Sequence, residues 1–394
     1  MREIRQSGSV RGVWRNPYPY RDPYSATFIR TQAAALQSFR VGFAGLFPSR
    51  RISLDLDLDF PPVLLTRDHS PISRVRRNLF KWTGLGARKF LKELSARSPV
   101  LLHAHFAVDA SNALEITERL GIPLVTTLHG YDVTIRDEVF SRSLGGRIYL
   151  KRRARLWEKC AHFFCSCDYI RSRALERGFP AEKLETLYSG HDLTRFNLPP
   201  VPRNRNLIVY VGRLIEKKGC SYLLRAAHLA AKNCPDLELA IIGDGPLRDE
   251  LEKLARDTGV QCKFLGTLSD PEPGNTVLDW LNRARVFCMP SVTASDGNTE
   301  GQPAVFVEAH ALGVPAVSFD TAGIGEAVLN GKTGLLVPEG DIAQLADALQ
   351  KLLQDDQLWN TFSNYARVWV AERFDIRKLN DQLERAYWRV LNNH

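Results

Sequence analysis

No apolar run in this 394-residue chain approaches the roughly 18 residues that a membrane-crossing helix needs. The opening, MREIRQSGSVRGVW, lacks the unbroken apolar stretch of a secretory signal. Nothing directs export, so the expected compartment is the cytoplasm. Cysteine is sparse and odd in number: the seven residues Cys160, Cys165, Cys167, Cys220, Cys234, Cys262 and Cys288 form no CxxC pair. That pattern argues against a disulfide framework or a zinc site and predicts packed, reduced thiols. Internal repeats and low-complexity tracts are absent, as is any aromatic signature of a ribonucleoprotein motif. What remains is an ordinary globular composition, 44% hydrophobic and 25% charged, too apolar for a disordered chain. The length predicts two domains, each with its own core.

The net charge of +9 is unevenly spread. Residues 1–200 carry 32 Lys and Arg against 19 Asp and Glu, a net +13, whereas the remainder is net −4. A basic N-terminal half suits an anionic membrane surface, a phosphorylated substrate or nucleic acid. Two clusters stand out, Arg74, Arg76, Arg77 and Lys81, then Lys151, Arg152, Arg153 and Arg155. Either they face such a partner or they are solvated helix faces.

From about residue 50, strand-like runs alternate with helical stretches, the pattern of a parallel sheet with crossover helices. PVLLHAHF, PLVTTLHG, AHFFCSCD and KLETLYSG read as strands of the first half, with RISLDLDLDF before them. NLIVYVG, LELAIIGDG, CKFLG, RVFCMP, VPAVSFD and GLLVP read as strands of the second. RFNLPPVPRNRN, with three prolines and no apolar periodicity, reads as a linker and sets a boundary near residue 200. The chain ends in FDIRKLNDQLERAYWRVLNNH, with apolar positions at helical spacing. At the other end only VRGVW offers a first strand, so either that strand is short and irregular or the chain starts late.

The chemistry gathers at strand ends, where open α/β sheets bind ligands. LIVYVGRLIEKKG places Gly212, Arg213 and Lys218 between a strand and a helix, where a close backbone and two cations suit a diphosphate. Glu300 and Glu308 bracket a turn, Gly301-Gln302-Pro303, and an apolar helix whose free N–H groups suit an anion. Gly243-Asp-Gly245 is either a nucleotide-binding loop or a tight turn. His103 and His105 share one strand face. They have no evident third metal ligand, which leaves a buried hydrogen-bonding role or a substrate-positioning one. His129, followed by Gly130 and Asp132, ends the next strand. Asp55, Asp57 and Asp59 alternate with leucine and read as the wet face of a strand rather than a metal motif.

VGRLIEKKG, IIGDGP, FLG, PSVTASDGNTEGQPAVFVEAHALGVP and GKTGLLVP follow in one order. Together they resemble a family-4 retaining glycosyltransferase of the GT-B fold, and the PSVTASDGNTEGQP stretch is similar to bacterial transferases building colanic acid or amylovoran. SATFIR, HAHF and HGYD extend the likeness into the first half. The sequence departs from the family's pattern where Ala26 takes the place of an acidic residue and where Ser189-Gly190 takes that of Asn-Gly.

The resemblance implies an α/β chain of two Rossmann-like, doubly wound domains facing a central cleft. The acceptor domain would be residues 1–200 with a crossover helix, 375–394, and the donor domain residues 201–374. It implies a nucleotide-diphosphate sugar as co-substrate, a glycan or lipid-linked acceptor, and no metal or other cofactor. Arg213 and Lys218 would neutralise the diphosphate and Glu308 would bind the ribose. Glu300 and backbone at Gly301, Gln302 and Pro303 would face the sugar, and His129 would touch it from the other domain. Gly212, Gly243 and Gly245 would line the donor, and Thr267 and Leu268 would edge the base. His103, His105 and Asp132 are then assigned to the acceptor. A peripheral position on an anionic membrane and no binding of nucleic acid are expected. The competing readings are a nucleotide-sugar 2-epimerase and a non-enzymatic basic binding protein.

Overall fold

In the computed structural model, residues 9–12, 27–46, 61–199, 201–268 and 274–394 are described. The chain divides into two compact units: one runs to His191 and resumes at Ile376–His394, and the other is Asp192–Asp375.

The first unit holds strands β1 (Ser9–Gly12), β2 (Val41–Gly45), β3 (Val63–Leu64), β4 (Leu102–His105), β5 (Leu124–Leu128), β6 (His162–Cys165) and β7 (Leu184–Thr186). They pair in parallel as β1-β2-β3 and β4-β5-β6-β7, with β1 also in contact with β4. β4 and β5 are buried along their whole length, as strands sandwiched between helix layers must be. Among the helices, Pro71–Thr83 is framed by local signals. The Ser70 hydroxyl accepts from the Ser73 amide at 3.2 Å, Pro71 opens the first turn, and Gly84 closes the last with φ +72°.

The C-terminal helix, Ile376–Asn392, belongs to this unit. Its apolar stripe, Leu379, Leu383 and Tyr387, packs on Ile29, Phe43, Leu101, Val125 and Phe164. The polar positions are also used: Glu384 accepts from the Gln37 and Ser38 amides at 2.6 and 3.0 Å, and Asn380 donates to the Gln32 carbonyl at 2.9 Å.

The second unit holds β8 (Leu207–Val211), β9 (Glu238–Ile242), β10 (Cys262–Gly266), β11 (Val286–Cys288), β12 (Ala316–Asp320) and β13 (Gly334–Pro338). They form one parallel sheet in the order β10-β9-β8-β11-β12-β13. This is the doubly wound order, whose direction of growth reverses between β8 and β11.

The stretch expected to be a linker is instead fixed to the second unit, which moves the boundary from residue 200 to residue 191. Phe196 is buried in the second core. Arg203 donates to the carbonyls of Asn282 and Ala284 at 3.1 and 3.0 Å, and the Asn204 amide donates to that of Arg283 at 2.9 Å. All seven cysteines are free thiols, five of them buried. Asp55, Asp57 and Asp59 lie outside the described residues.

Candidate active site

Three strand ends of the second unit lie side by side. The Gly212 amide continues the ladder to the Ile242 carbonyl at 2.9 Å, and the Gly243 amide to the Gly266 carbonyl at 2.8 Å. Arg213, the Gly243-Asp244-Gly245 turn and Thr267-Leu268 therefore follow the C-terminal edges of neighbouring strands. Gly243 has φ +134°, and a Cβ there would sit 1.9 Å from the Gly212 carbonyl oxygen. The Gly-Asp-Gly sequence thus satisfies the packing of two loops whatever else it does.

Across the switch point, the loop after β11 is bonded to the loop after β8. The Val292 amide donates to the Lys217 carbonyl at 2.9 Å, and the Ser295 amide and hydroxyl donate to the Glu216 carboxylate at 3.1 and 2.9 Å. Gly219 permits the approach, since a Cβ there would meet the Pro290 carbonyl oxygen at 1.7 Å. This contact brings Glu300 to the lysines. Its Oε1 lies 3.0 Å from Lys218 Nζ and 3.4 Å from Lys217 Nζ. Burial alone would raise the Glu300 carboxyl, but the two ammonium groups outweigh it and hold the pKa below its ordinary value. Lys217 is itself buried and reaches the Asn298 side chain and the Thr299 carbonyl at 3.3 and 3.4 Å.

Lys217 was not anticipated as a site residue. Only its neighbour falls at the spacing read as a diphosphate clamp, and the Lys-Lys pair was the available signal. Gly301, Gln302 and Pro303 lead from Glu300 into the helix Ala304–Ala311. Glu308 lies in the second turn of that helix, its carboxyl raised by burial against a lowering influence from Arg195.

In the first unit the histidines form a chain. His103 is fully buried, with Nδ1 2.5 Å from the Tyr387 hydroxyl and Nε2 2.7 Å from the Thr127 hydroxyl. Both ring nitrogens are engaged inside the core. His105 is also buried and places Nδ1 2.9 Å from His129 Nε2. It supports His129.

Asp132 ends the same stretch. It is buried, and its carboxylate accepts from the amides of Ala107, Gly130 and His129 at 3.0, 2.9 and 3.3 Å, fixing two loops. Burial pushes its pKa up to about 6 against those donors. His129 is only partly buried by its neighbours and lines a small pocket with Phe28, Gln32, Thr127, Ser189 and Gly190. Burial lowers its pKa to about 3, so the imidazole is neutral near pH 7. Phe106, whose ring centroid is 4.7 Å from that of His129, has φ +73° and ψ 134°. This is a conformation strained for a residue with a side chain, of the kind that persists at functional sites.

Residues 195–369 match the family Glycosyl transferases group 1, and residues 18–195 match Glycosyltransferase Family 4. The amylovoran biosynthesis glycosyltransferase AmsK of Erwinia amylovora is 30% identical over 72% of this chain and 69% of its own. WcaL of Escherichia coli, assigned to colanic acid biosynthesis as a glycosyltransferase, is 33% identical over 71% of this chain and 68% of its own. Among solved structures, Anabaena HepE in complex with UDP and glucose superposes with a TM-score of 0.76 at 18% identity, over 97% of this chain and all of that one. Sucrose-phosphate synthase from Thermosynechococcus elongatus does so at 0.73 and 19%, over 98% of this chain and all of that one.

The chain therefore belongs to the family-4, group 1 glycosyltransferases. Its α/β fold, with two Rossmann-like units, is of the GT-B class.

Proposed function

We propose that this glycosyltransferase moves a sugar from a nucleoside-diphosphate sugar to a glycan or lipid-linked acceptor in bacterial exopolysaccharide synthesis, with retention at the anomeric carbon and without a metal. The observation that carries this reading is the cluster of Lys217, Lys218 and Glu300 at the sheet's switch point, beside the start of helix Ala304–Ala311. Its likeness to AmsK and WcaL supports the exopolysaccharide setting. HepE, with UDP and glucose, supports a nucleotide-sugar donor.

In this reading the donor diphosphate lies over the strand ends at Gly212, Gly243 and Gly245, held by Arg213 and Lys218. Glu308 takes the ribose, and Thr267 and Leu268 edge the base. As the bond from the anomeric carbon to the phosphate oxygen breaks, its electron pair moves onto the diphosphate. The two cations and the helix N–H groups stabilise that charge. The acceptor hydroxyl attacks from the face the diphosphate is leaving and passes its proton to the departing oxygen. Glu300 and the backbone of Gly301, Gln302 and Pro303 orient the sugar, and the Glu300 carboxylate favours positive charge at the reacting carbon. His129, being neutral, serves a sugar hydroxyl as a hydrogen-bond partner rather than as an acid.

Within the described residues, no group of three or more metal-ligating side chains forms a site that a divalent ion would occupy. The test is transfer from a nucleotide sugar to a lipid-linked acceptor in EDTA, with the product anomer read by NMR. Undiminished turnover with retained configuration is expected. Loss of turnover that magnesium or manganese restores, or an inverted product, would contradict the proposal.

A further inference from the structure

The helix Pro71–Thr83 is built inside out. Its buried face presents Arg77, Phe80 and Lys81 to the first unit, while Ile72, Val75, Leu79 and Trp82 point outward. At 100° per residue those four fall within an arc of about 80°. They are 82%, 67%, 44% and 45% exposed, and Leu85, just past the helix, is 56% exposed. The inward cations are provided for: Arg77 donates to the Thr66 hydroxyl and the Asp68 carbonyl at 2.8 and 3.0 Å, and Lys81 is drawn to the buried Asp109. The helix is thus held firmly by its polar face and leaves its apolar one bare among the described residues. A contiguous apolar stripe of this kind marks an interaction surface.

Charge selects the partner. Arg74 is exposed on the same helix. Beside Trp82 opens a groove of about 300 Å³, lined by Lys151, Arg152 and Arg155 with Glu115 as its single acid. Lys151 Nζ stands 5.9 Å over the Trp82 ring, and Glu115 is already paired with Arg155 at 2.9 Å. An apolar stripe with an interfacial tryptophan and a cationic margin matches the boundary of an anionic bilayer, with acyl chains against the stripe and phosphates at the margin.

We infer that this helix and groove dock the protein on anionic lipid, with Ile72, Val75, Leu79 and Trp82 entering the acyl boundary and the exposed Arg74 and Lys151 meeting headgroup phosphates. The inference goes beyond the transfer reaction and does not depend on it.

The experiment is flotation of the full chain with vesicles of phosphatidylcholine alone and of phosphatidylcholine with about 30% phosphatidylglycerol, at low and high salt. Binding only to the anionic vesicles, falling as salt rises, is expected. Val75→Ser with Leu79→Ser should lower the partition by tenfold or more, as should Lys151→Glu. Val368→Ser, which removes an exposed valine of the second unit, should leave it unchanged. Equal binding to neutral vesicles, no binding at low salt, or wild-type partition by the paired serine variant would overturn the inference. So would a stripe whose serine variant loses self-association while lipid binding persists. Calorimetry with a nucleoside diphosphate, run without vesicles, tests the transferase reading separately and should not distinguish these variants from wild type.

Discussion

At the scale of single residues, the account turns on the different surroundings of Glu300 and Glu308. Glu300 pairs with Lys218, the cation proposed for the diphosphate. Glu300→Gln should therefore leave nucleoside-diphosphate affinity unchanged or tighter while turnover falls about 100-fold or more, roughly 2.7 kcal/mol of barrier. Glu308→Ala should chiefly weaken nucleotide binding. Calorimetry beside single-turnover rates separates the two, and a Glu300→Gln protein with wild-type turnover would remove that residue from the sugar.

The same cluster sets a pH dependence. The Glu300 pKa is depressed in the folded state, so its stabilisation is complete above the ordinary carboxyl range and is lost as pH falls below it. Urea midpoints of wild type and Glu300→Gln should accordingly differ from pH 7 down to the ordinary carboxyl value of 4.5 and converge only below it, as pH falls through the depressed folded-state pKa. A gap that does not narrow would mean that the ion pair contributes little.

At the scale of elements, the C-terminal helix shows how a distant segment completes a core. Tyr387 meets His103 across 284 residues of sequence. Tyr387→Phe should cost about 1–2 kcal/mol by stranding a buried imidazole nitrogen. Tyr387→Ala should cost about 3–5 kcal/mol through the cavity as well. Urea denaturation measures both, and a Phe variant as stable as wild type would show that the hydroxyl bond is dispensable.

Elements also explain what was legible in the sequence. β8 and β9 are rich in β-branched residues and run straight into Gly212 and Gly243, so periodicity and turn chemistry point the same way. β2, VGFAG, alternates valine and phenylalanine with glycine and alanine, and β3 has only two residues, too little pattern for either to stand out. The spacing of Arg213, Lys218, Glu300 and Glu308 carried the candidate site. The inward turn of His103 and Asp132 was illegible because it depends on partners supplied by Tyr387 and by the Ala107 amide. For Lys217 the adjacent Lys-Lys pair is the sequence signal, and its place beside Glu300 depends on the β11 loop folding back on it.

At the scale of the whole chain, charge is divided between the two halves of the sequence. The net +13 of residues 1–200 includes the cations beside the bare apolar helix, and the net −4 remainder carries the proposed donor site, where half-buried Arg213 and Lys218 and buried Lys217 act locally. Rising salt should therefore weaken lipid binding steeply and nucleotide binding less, because buried pairs are screened little. Parallel salt titrations of flotation and calorimetry would check this, and equal sensitivity would contradict it.

The central claim, that the strand ends at the switch point hold a nucleoside diphosphate without a metal, is tested most directly by calorimetric titration of uridine, guanosine and adenosine diphosphates in EDTA. The account predicts one-to-one binding of at least one of them, weakened about tenfold or more by Lys218→Ala and again by Arg213→Ala. Arg213→Lys should restore only part of the loss, since a point charge does not reproduce the planar fork. No binding in EDTA, or affinity indifferent to both cations, would contradict it.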